Sequence, residues 1–410
     1  MIKRIPLWGK IWIFLMVLGP GIITSFADND AGGITTYSIA GSHFGYKLLW
    51  VLVLVTFALA IIQEMTARLG VVTNKGLADL IREEFGLRWT LFAMLTLLVA
   101  NSATIISNFA GIAAGFELMG VAKFFSVPIM AFFIWLFVVK GNYRQVERIF
   151  LLLCLLAFSY VASGFLARPD WGEAVRATFM PNISWSSEYL LLLVAFIGTT
   201  ITPWMQFYLQ ASIVDKGISL KRYKYERAEV LLGAFFTDFI SLFIIIACAA
   251  TLFRHGIRIE AAKDAALALR PFAGSAAEML FALGLIGAST LTSFIVPLST
   301  SYALCEAFGF ESGLDRKFQE APIFYGLYTV LIVAGSALIL IPRLSLVFVM
   351  YLAQAIQGFL LPIILIFMLM LVNNRRLMGI HVNNRFYNLV VWLMVLGIAA
   401  ASLALVFFMI

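Results

Sequence analysis

Apolar segments long enough to cross a lipid bilayer recur along the whole of this sequence. A spanning helix needs about 20 apolar residues, and helices are one of the few structures that satisfy their backbone hydrogen bonds inside hydrocarbon. By that measure there are about eleven spans, and no segment between them is long enough for a soluble domain. The spans lie at about 11–41, 46–70, 90–119, 122–140, 148–167, 187–215, 228–253, 275–308, 322–341, 344–372 and 387–409. The sequence therefore predicts an all-α polytopic membrane protein in which residues 1–410 form a single transmembrane domain.

The basic residues are distributed as in a membrane protein rather than a nucleic-acid-binding protein. The chain is 62% hydrophobic and 12% charged, with a net charge of +7. With the N-terminus placed in the cytoplasm, 20 of the 29 lysines and arginines fall on the cytoplasmic side, which is the positive-inside pattern. We therefore expect a multi-pass protein of the cell membrane with a cytoplasmic N-terminus and an extracellular C-terminus. A cleavable signal peptide is disfavoured, because cleavage after Ala27 would remove half of the first span.

The first span is interrupted where bilayer depth should continue. Its apolar run meets Asp28, Asn29 and Asp30, and the poor helix formers Gly32 and Gly33 follow directly. A carboxylate inside hydrocarbon is costly, so it is normally functional and faces a bundle interior or a water-filled cavity. We interpret this stretch as one membrane helix broken in the middle, with the two carboxylates at the break.

The sixth span carries a second interruption. The stretch Gly198–Gln206 contains three threonines and Pro203, which removes a backbone donor and clashes with the preceding turn. Interrupted helices at corresponding places in two halves indicate a transporter site at the bilayer midplane in an inverted-repeat fold. We predict a first repeat at 1–167, a second repeat at 187–372 and an extra helix at 387–409.

The two breaks together offer hard oxygen donors. Unwound carbonyls and two carboxylates favour a cation over an anionic substrate, and oxygen ligands suit Mg²⁺, Ca²⁺ or Mn²⁺. The side chains available for this role are Asp28, Asn29, Asp30, Thr199, Thr202, Gln354 and Gln357.

One long run at the end of span 2 resembles the NRAMP family of divalent-metal transporters. The residues Gln63–Leu80, QEMTARLGVVTNKGLADL, resemble the family pattern Q-x-x-x-A-R-L-G-V-V-T-x-K-x-L-A. The stretch Gly19–Gly33 resembles the G-P-G leading to D-P-G-N, and Gly198–Trp204 resembles G-A-T-V-M-P-H. The resemblance implies the inverted-repeat fold of amino-acid transporters such as LeuT, a metal site between spans 1 and 6, and a monomer.

The departures from the family pattern fall on the residues expected to handle the metal. Asp30 is kept, whereas Gly33 replaces an asparagine and Thr202 replaces the metal-binding methionine. Thr199 takes the position of an alanine whose carbonyl binds metal, and Gln354 matches an amide that faces the metal. A missing thioether removes the soft ligand that discriminates transition metals from Mg²⁺. Small residues at Gly33 and Thr202 predict an enlarged site for a partly hydrated ion. The predicted metal residues are Asp30, Thr202, Thr199, Gln354, Asp28 and Gly33.

Groups that could relay protons are also missing. Trp204 replaces the histidine after the proline, and the two span-3 acids fall on Asn108 and Gly111. We therefore expect similarity to the magnesium-transporting branch of the family, which would carry Mg²⁺ and Mn²⁺ by alternating access without proton coupling and without a cofactor. The predicted pathway residues are Asn29, Ala27, Trp204, Gln357, Asn108 and Gly111.

Two other functions remain open from the sequence. One is a proton-coupled Mn²⁺/Fe²⁺ importer, which would have to work without the methionine, the histidine and the span-3 acids. The other is a Na⁺-coupled organic-solute symporter, which would have to seat an anionic substrate beside Asp28 and Asp30. An enzyme is the least favoured class, because the sequence contains no H-E-x-x-H, G-x-S-x-G or P-loop pattern.

Overall fold

The fold is all-helical, as the sequence predicts. It is known from a computed structural model that describes residues 28–140, 156, 158–314 and 316–409. The first half of span 1, together with Ala27, lies outside the described residues. The α-helices are α1 (Ala31–Phe44), α2 (Leu49–Thr73), α3 (Leu77–Leu118), α4 (Lys123–Val139), α5 (Phe158–Leu166), α6 (Trp171–Phe179), α7 (Ser187–Thr200), α8 (Pro203–Asp215), α9 (Tyr223–Thr251), α10 (Ala262–Ala266), α11 (Arg270–Ala273), α12 (Ala277–Phe308), α13 (Pro322–Ile339), α14 (Leu346–Val372), α15 (Arg375–Met378) and α16 (Arg385–Met409).

Eight helical segments of the described chain are long and apolar enough to cross a membrane. A shorter apolar helix, α4, has 17 residues. Where they can be compared, the predicted spans agree with the helices to within about five residues, except that α3 begins well before position 90. Most of the predicted span 148–167, like the first half of span 1, lies outside the described residues. Helix α3 includes the amphipathic segment after Lys75, which joins the span through a kink at Gly86 (φ 75°). Only glycine adopts that backbone conformation at little cost.

The sixth span is broken where the sequence predicts. Helix α7 ends at Thr200, Ile201 and Thr202 are not helical, and α8 starts at Pro203. Proline is favoured at the first position of a helix because its missing N–H would have no intrahelical partner there. The break therefore exposes the last carbonyls of α7 and the first amides of α8 to the interior of the bundle.

The helices around the breaks pack at very short range. Helix α3 makes its most extensive contacts with α12 and α14, and α14 also packs along α7. A Cβ at Gly198 would overlap the Gln354 carbonyl and the backbone of Gly358, so the main chains of α7 and α14 touch. Helix α9 packs against α1 and α2. The start of α1 therefore packs against α3, α9 and α14, and α7 and α8 at the second break pack against α14 and α3.

The C-terminal end of α2 contains a buried network around Arg68. The Arg68 guanidinium donates to the His381 carbonyl (2.6 Å), to Asn383 Oδ1 (2.5 Å) and to Glu64 (3.2 Å). Glu64 also accepts a hydrogen bond from the Tyr223 hydroxyl. The run that carries the clearest family pattern therefore ties α2 to α9 and to the segment before α16.

Candidate metal site

Asp30 both starts a helix and presents a buried charge. It is the N-cap of α1 and is 4% exposed. Its Oδ1 accepts from the Gly33 amide (2.8 Å), and its Oδ2 accepts from Asn108 Nδ2 (2.9 Å). Asn108 Oδ1 in turn accepts from the Ala31 amide (3.3 Å). The N-terminus of α1 and the amide of α3 thus stabilise an ionised Asp30, and each carboxylate oxygen keeps a lone pair for a further ligand.

Gly32 and Gly33 allow oxygen donors to converge on Asp30. A Cβ at Gly33 would lie 2.9 Å from the Asp28 carbonyl oxygen, 3.3 Å from Thr199 Oγ1 and 3.6 Å from Asp30 Oδ1. A Cβ at Gly32 would overlap the side-chain amide of Gln354. Spans 1, 6 and 10 therefore meet at these two glycines. In this conformation, the Asp28 carbonyl and the Thr199 hydroxyl occupy the space that a side chain at Gly33 would need.

Two threonine hydroxyls of the second break have no hydrogen-bond partner within the described part of the chain. Thr199 Oγ1 and Thr202 Oγ1 are both buried, with the residues 0% and 4% exposed. Thr200 differs, since its hydroxyl bonds to the Phe196 carbonyl (2.9 Å) and to the Tyr37 hydroxyl (2.8 Å). Buried hydroxyls normally have partners, so the two orphaned oxygens suggest a ligand.

The two span-10 amides form a pair. Gln357 Nε2 donates to Gln354 Oε1 (2.6 Å), which leaves Gln354 Nε2 and Gln357 Oε1 without a partner among the described residues. Rotating both amides by 180° keeps the hydrogen bond and turns an oxygen of Gln354 toward Gly32. A cation at the break would select that orientation, because it needs an acceptor oxygen.

Asp28 and Asn29 face a different helix from Asp30. Asn29 Nδ2 donates to the Thr237 carbonyl (3.2 Å), and Ser241 Oγ donates to Asn29 Oδ1 (3.0 Å). Asp238 is an electrostatic neighbour of the Asp28 carboxyl, as is Asp30, and all three carboxyls are buried. The backbone carbonyl of Asp28 lies near Asp30 at Gly33, while the Asn29 side chain bonds to α9.

The remaining predicted pathway residues have structural contacts. Trp204 is 1% exposed, its ring packs against Tyr208, and its carbonyl accepts from Ser299 (3.2 Å). A Cβ at Gly111 would overlap the side chains of Ala31 and Ser289. Gly111 therefore lets α3 and α12 approach the start of α1, while Ala27 lies outside the described residues.

The donors collected at the break are oxygens. The methionine of α8, Met205, directs its sulfur to Gln63 Nε2 (3.8 Å). No group of three or more histidine, cysteine, aspartate or glutamate side chains that could hold a metal exists in the described ranges. A metal at this break would therefore be held by one carboxylate, hydroxyls, an amide and backbone carbonyls, with water completing the coordination of a hard cation.

Two contacts were not predicted from the sequence. Asn108 was expected to line the pathway, but not to bond to Asp30. Asp238 was not among the predicted site residues, although its charge in the middle of the apolar α9 marks it as functional by the same rule that marks Asp30. Its proximity to Asp28 depends on packing between distant segments, which a single sequence does not reveal.

The fold and the paired breaks define a helical membrane transporter with a buried polar site at mid-bundle. A family model, Natural resistance-associated macrophage protein-like, matches residues 21–408, and the chain belongs to that family. It is 27% identical over 392 residues to the "Divalent metal cation transporter MntH" of Caldanaerobacter subterraneus, covering 92% of this chain and 89% of that protein. It is also 27% identical to the MntH of Bacillus subtilis, covering 97% and 94%.

Solved structures confirm the fold. A manganese transporter of Eremococcus coleocola has a TM-score of 0.74 at 20% identity, covering 98% of this chain and 88% of that chain. Mhp1, a nucleobase-cation-symport-1 family transporter in a closed conformation, has a TM-score of 0.59 at 16% identity, covering 96% and 91%. The predicted LeuT-like architecture is therefore confirmed.

Proposed function

We propose that this protein transports divalent metal cations across the membrane, with Mg²⁺ as the main substrate and Mn²⁺ as a second. The proposal rests on one observation above all: the Asp28 carbonyl and the unpartnered Thr199 hydroxyl, one from each interrupted span, lie beside the buried carboxylate of Asp30 at Gly33. Relatives of similar length carry the name divalent metal cation transporter, which supports the same substrate class.

The preference for Mg²⁺ follows from the chemistry of the donors. Thr202 offers a hydroxyl where a thioether would favour softer metals, and the Met205 sulfur points to Gln63. Mg²⁺ gives up its water reluctantly and is usually bound by few protein ligands with several waters retained. One carboxylate with a few neutral oxygens suits an ion that keeps part of its hydration shell. The breaks must open beyond this conformation to admit it, because the space at Gly33 is filled here.

We further propose that no proton is obligatorily carried. Asn108 touches Asp30 where a titratable acid would be needed, and Trp204 stands where a histidine would be needed. The membrane potential alone is sufficient to drive uptake, since it contributes about 4.6 kcal/mol for a divalent ion at 100 mV.

Proton-coupled Mn²⁺ import is the second candidate. The name of the similar Eremococcus coleocola protein, a manganese transporter, and those of the MntH relatives favour it. It would need a proton-carrying group in place of Asn108 and Gly111. The orphaned carboxyls of Asp28 and Asp238 are the available candidates for such a group.

Asp30→Asn tests the site assignment. Asparagine is as good an N-cap as aspartate, so α1 should still form while the negative charge is lost. We expect the variant to reconstitute normally in proteoliposomes and to lose at least about nine-tenths of Mg²⁺ and Mn²⁺ uptake, since removing about 1.4 kcal/mol of cation binding already costs tenfold.

Asp170→Asn is the matched control. Asp170 is also a helix N-cap, accepting from the Glu173 amide (2.9 Å), but it is exposed. Its variant should transport at the wild-type rate. Wild-type uptake by Asp30→Asn would rule out Asp30 as a metal-binding residue.

A further inference from the structure

Two carboxyl groups on the α9 side of the first break accept no hydrogen bond of normal geometry from the described residues. Asp28 and Asp238 are each 3% exposed, and all four of their carboxylate oxygens are buried without a partner within the described ranges. The pair interacts electrostatically. Buried carboxylates are almost always hydrogen-bonded or paired with a positive charge. Among the described residues no basic side chain pairs with either carboxyl, and the Thr56 hydroxyl near Asp238 already donates to the Leu52 carbonyl (2.6 Å).

The surrounding contacts hold the two carboxyls together. The Asn29 side chain bonds to Thr237 and Ser241 of α9. These bonds fix the neighbouring Asp28 against the turn of α9 that carries Asp238. The hydroxyl of Tyr37 lies near both carboxyls, and the Thr56 hydroxyl lies within hydrogen-bonding range of Asp238. The cleft between α1, α2 and α9 is therefore lined by oxygen atoms.

This cleft is separate from the Asp30 cluster. Asp30 bonds to Asn108 of α3 and lies beside Thr199 of α7, whereas the Asn29 side chain places Asp28 against the turn of α9 that carries Asp238. A single cation bound by Asp30 would leave at least the Asp238 carboxyl uncompensated.

We propose that Asp28 and Asp238 form a second position for a divalent cation, next to the position at Asp30. The inference rests on the proposed function, because the same transported ion would occupy both positions. Two carboxylates match the charge of one divalent ion, and carboxylate and hydroxyl oxygens are the donors that Mg²⁺ and Mn²⁺ prefer. Two neighbouring positions would help release, since a second ion repels the first.

Mn²⁺ binding to the purified full-length protein in lipid nanodiscs tests this directly. Equilibrium titration followed by electron paramagnetic resonance counts free and bound Mn²⁺. We expect the wild type and the Asp170→Asn control to bind about two ions and Asp30→Asn and Asp238→Asn about one each. The Asp30→Asn/Asp238→Asn double variant should bind none. Wild-type binding of a single ion that Asp238→Asn leaves unchanged would overturn the second position while leaving the proposed function intact.

Other binding results would distinguish the second position from the Asp30 assignment equally well. If Asp238→Asn lost one ion and Asp30→Asn lost none, the second position would stand and the Asp30 assignment would fall. If neither Mn²⁺ nor Mg²⁺ bound to the wild type at either position, both proposals would be rejected together.

Thermal unfolding distinguishes a metal-binding role of Asp238 from a purely structural role. Without divalent cations, Asp238→Asn should unfold at the wild-type temperature or above it, because the variant removes an unpaired buried charge. Addition of Mn²⁺ should raise its unfolding temperature less than that of the wild type. A lower metal-free unfolding temperature with an unchanged response to Mn²⁺ would show that Asp238 is structural and would contradict the inference.

Discussion

Asp30 combines two roles that are usually separate. As an N-cap it accepts from the Gly33 amide, and as a buried anion it is stabilised by the start of α1 and by Asn108. These bonds favour the charged form of the carboxylate, and no basic side chain among the described residues forms an ion pair with it. A cation can then be bound by the full charge and released without competition from a permanent ion pair.

Thr202→Met tests whether the missing thioether sets metal preference. The substitution places a soft ligand at the second break, and we expect Mn²⁺ and Cd²⁺ to compete more strongly with Mg²⁺, by roughly tenfold for about 1.4 kcal/mol of added affinity. Uptake of Mg²⁺ in proteoliposomes, measured against increasing Mn²⁺ or Cd²⁺, reports the change.

Thr202→Leu is the matched control for the added methionine. It has a similar bulk without sulfur, so it should impair all the cations alike and leave their ratio unchanged. Equal shifts in both variants would mean that the size of the side chain, and not the thioether, governs selectivity.

At the scale of helices, the break in the sixth span was predictable from the sequence, whereas the side chains that meet across the site were not. Pro203 and the adjacent threonines place the end of α7 and the start of α8 within a residue or two, because proline acts locally on the backbone. The Asp30–Asn108 hydrogen bond and the Asp28–Asp238 proximity join segments 78 and more residues apart. They depend on helix rotation and packing, which the hydrophobic pattern constrains only weakly.

Gly33 was predicted to leave open space for the ion, whereas in this conformation it allows neighbouring oxygen atoms to approach closely. The sequence suggested open space at Gly33, yet the Asp28 carbonyl and Thr199 hydroxyl occupy its surroundings. A missing side chain leaves open space only if the neighbouring helices stay apart. In a membrane helix bundle, small residues usually let the helices pack closely instead.

We expect Arg68 to stabilise the packing of the C-terminal end of α2. Lysine cannot reproduce a planar fork that bonds to three partners, so Arg68→Lys should leave Glu64 poorly compensated. We expect a loss of about 3 kcal/mol, as for other broken buried pairs. Thermal unfolding of the purified protein measures this loss as a lower unfolding temperature.

Arg88→Lys is the control for that substitution. Arg88 lies exposed on α3, and its variant should change stability by less than about 0.5 kcal/mol. An Arg68→Lys variant as stable as Arg88→Lys would show that the network at the end of α2 contributes little.

At the scale of the whole molecule, the predicted orientation gives the proposed transport a direction. Twenty of the 29 basic residues fall on the side we place in the cytoplasm, and an inward-negative potential favours cation entry toward that side. The division into two repeats, 1–167 and 187–372, remains a prediction on which the proposed alternating access depends.

Uptake of Mg²⁺ recorded together with luminal pH tests the central proposal most directly. Proteoliposomes of the wild type should accumulate Mg²⁺ under an inside-negative potential while the luminal pH stays at the level of protein-free liposomes. Luminal acidification that rises in fixed proportion to Mg²⁺ uptake, and stops in Asp30→Asn, would contradict uncoupled transport and favour proton-coupled import.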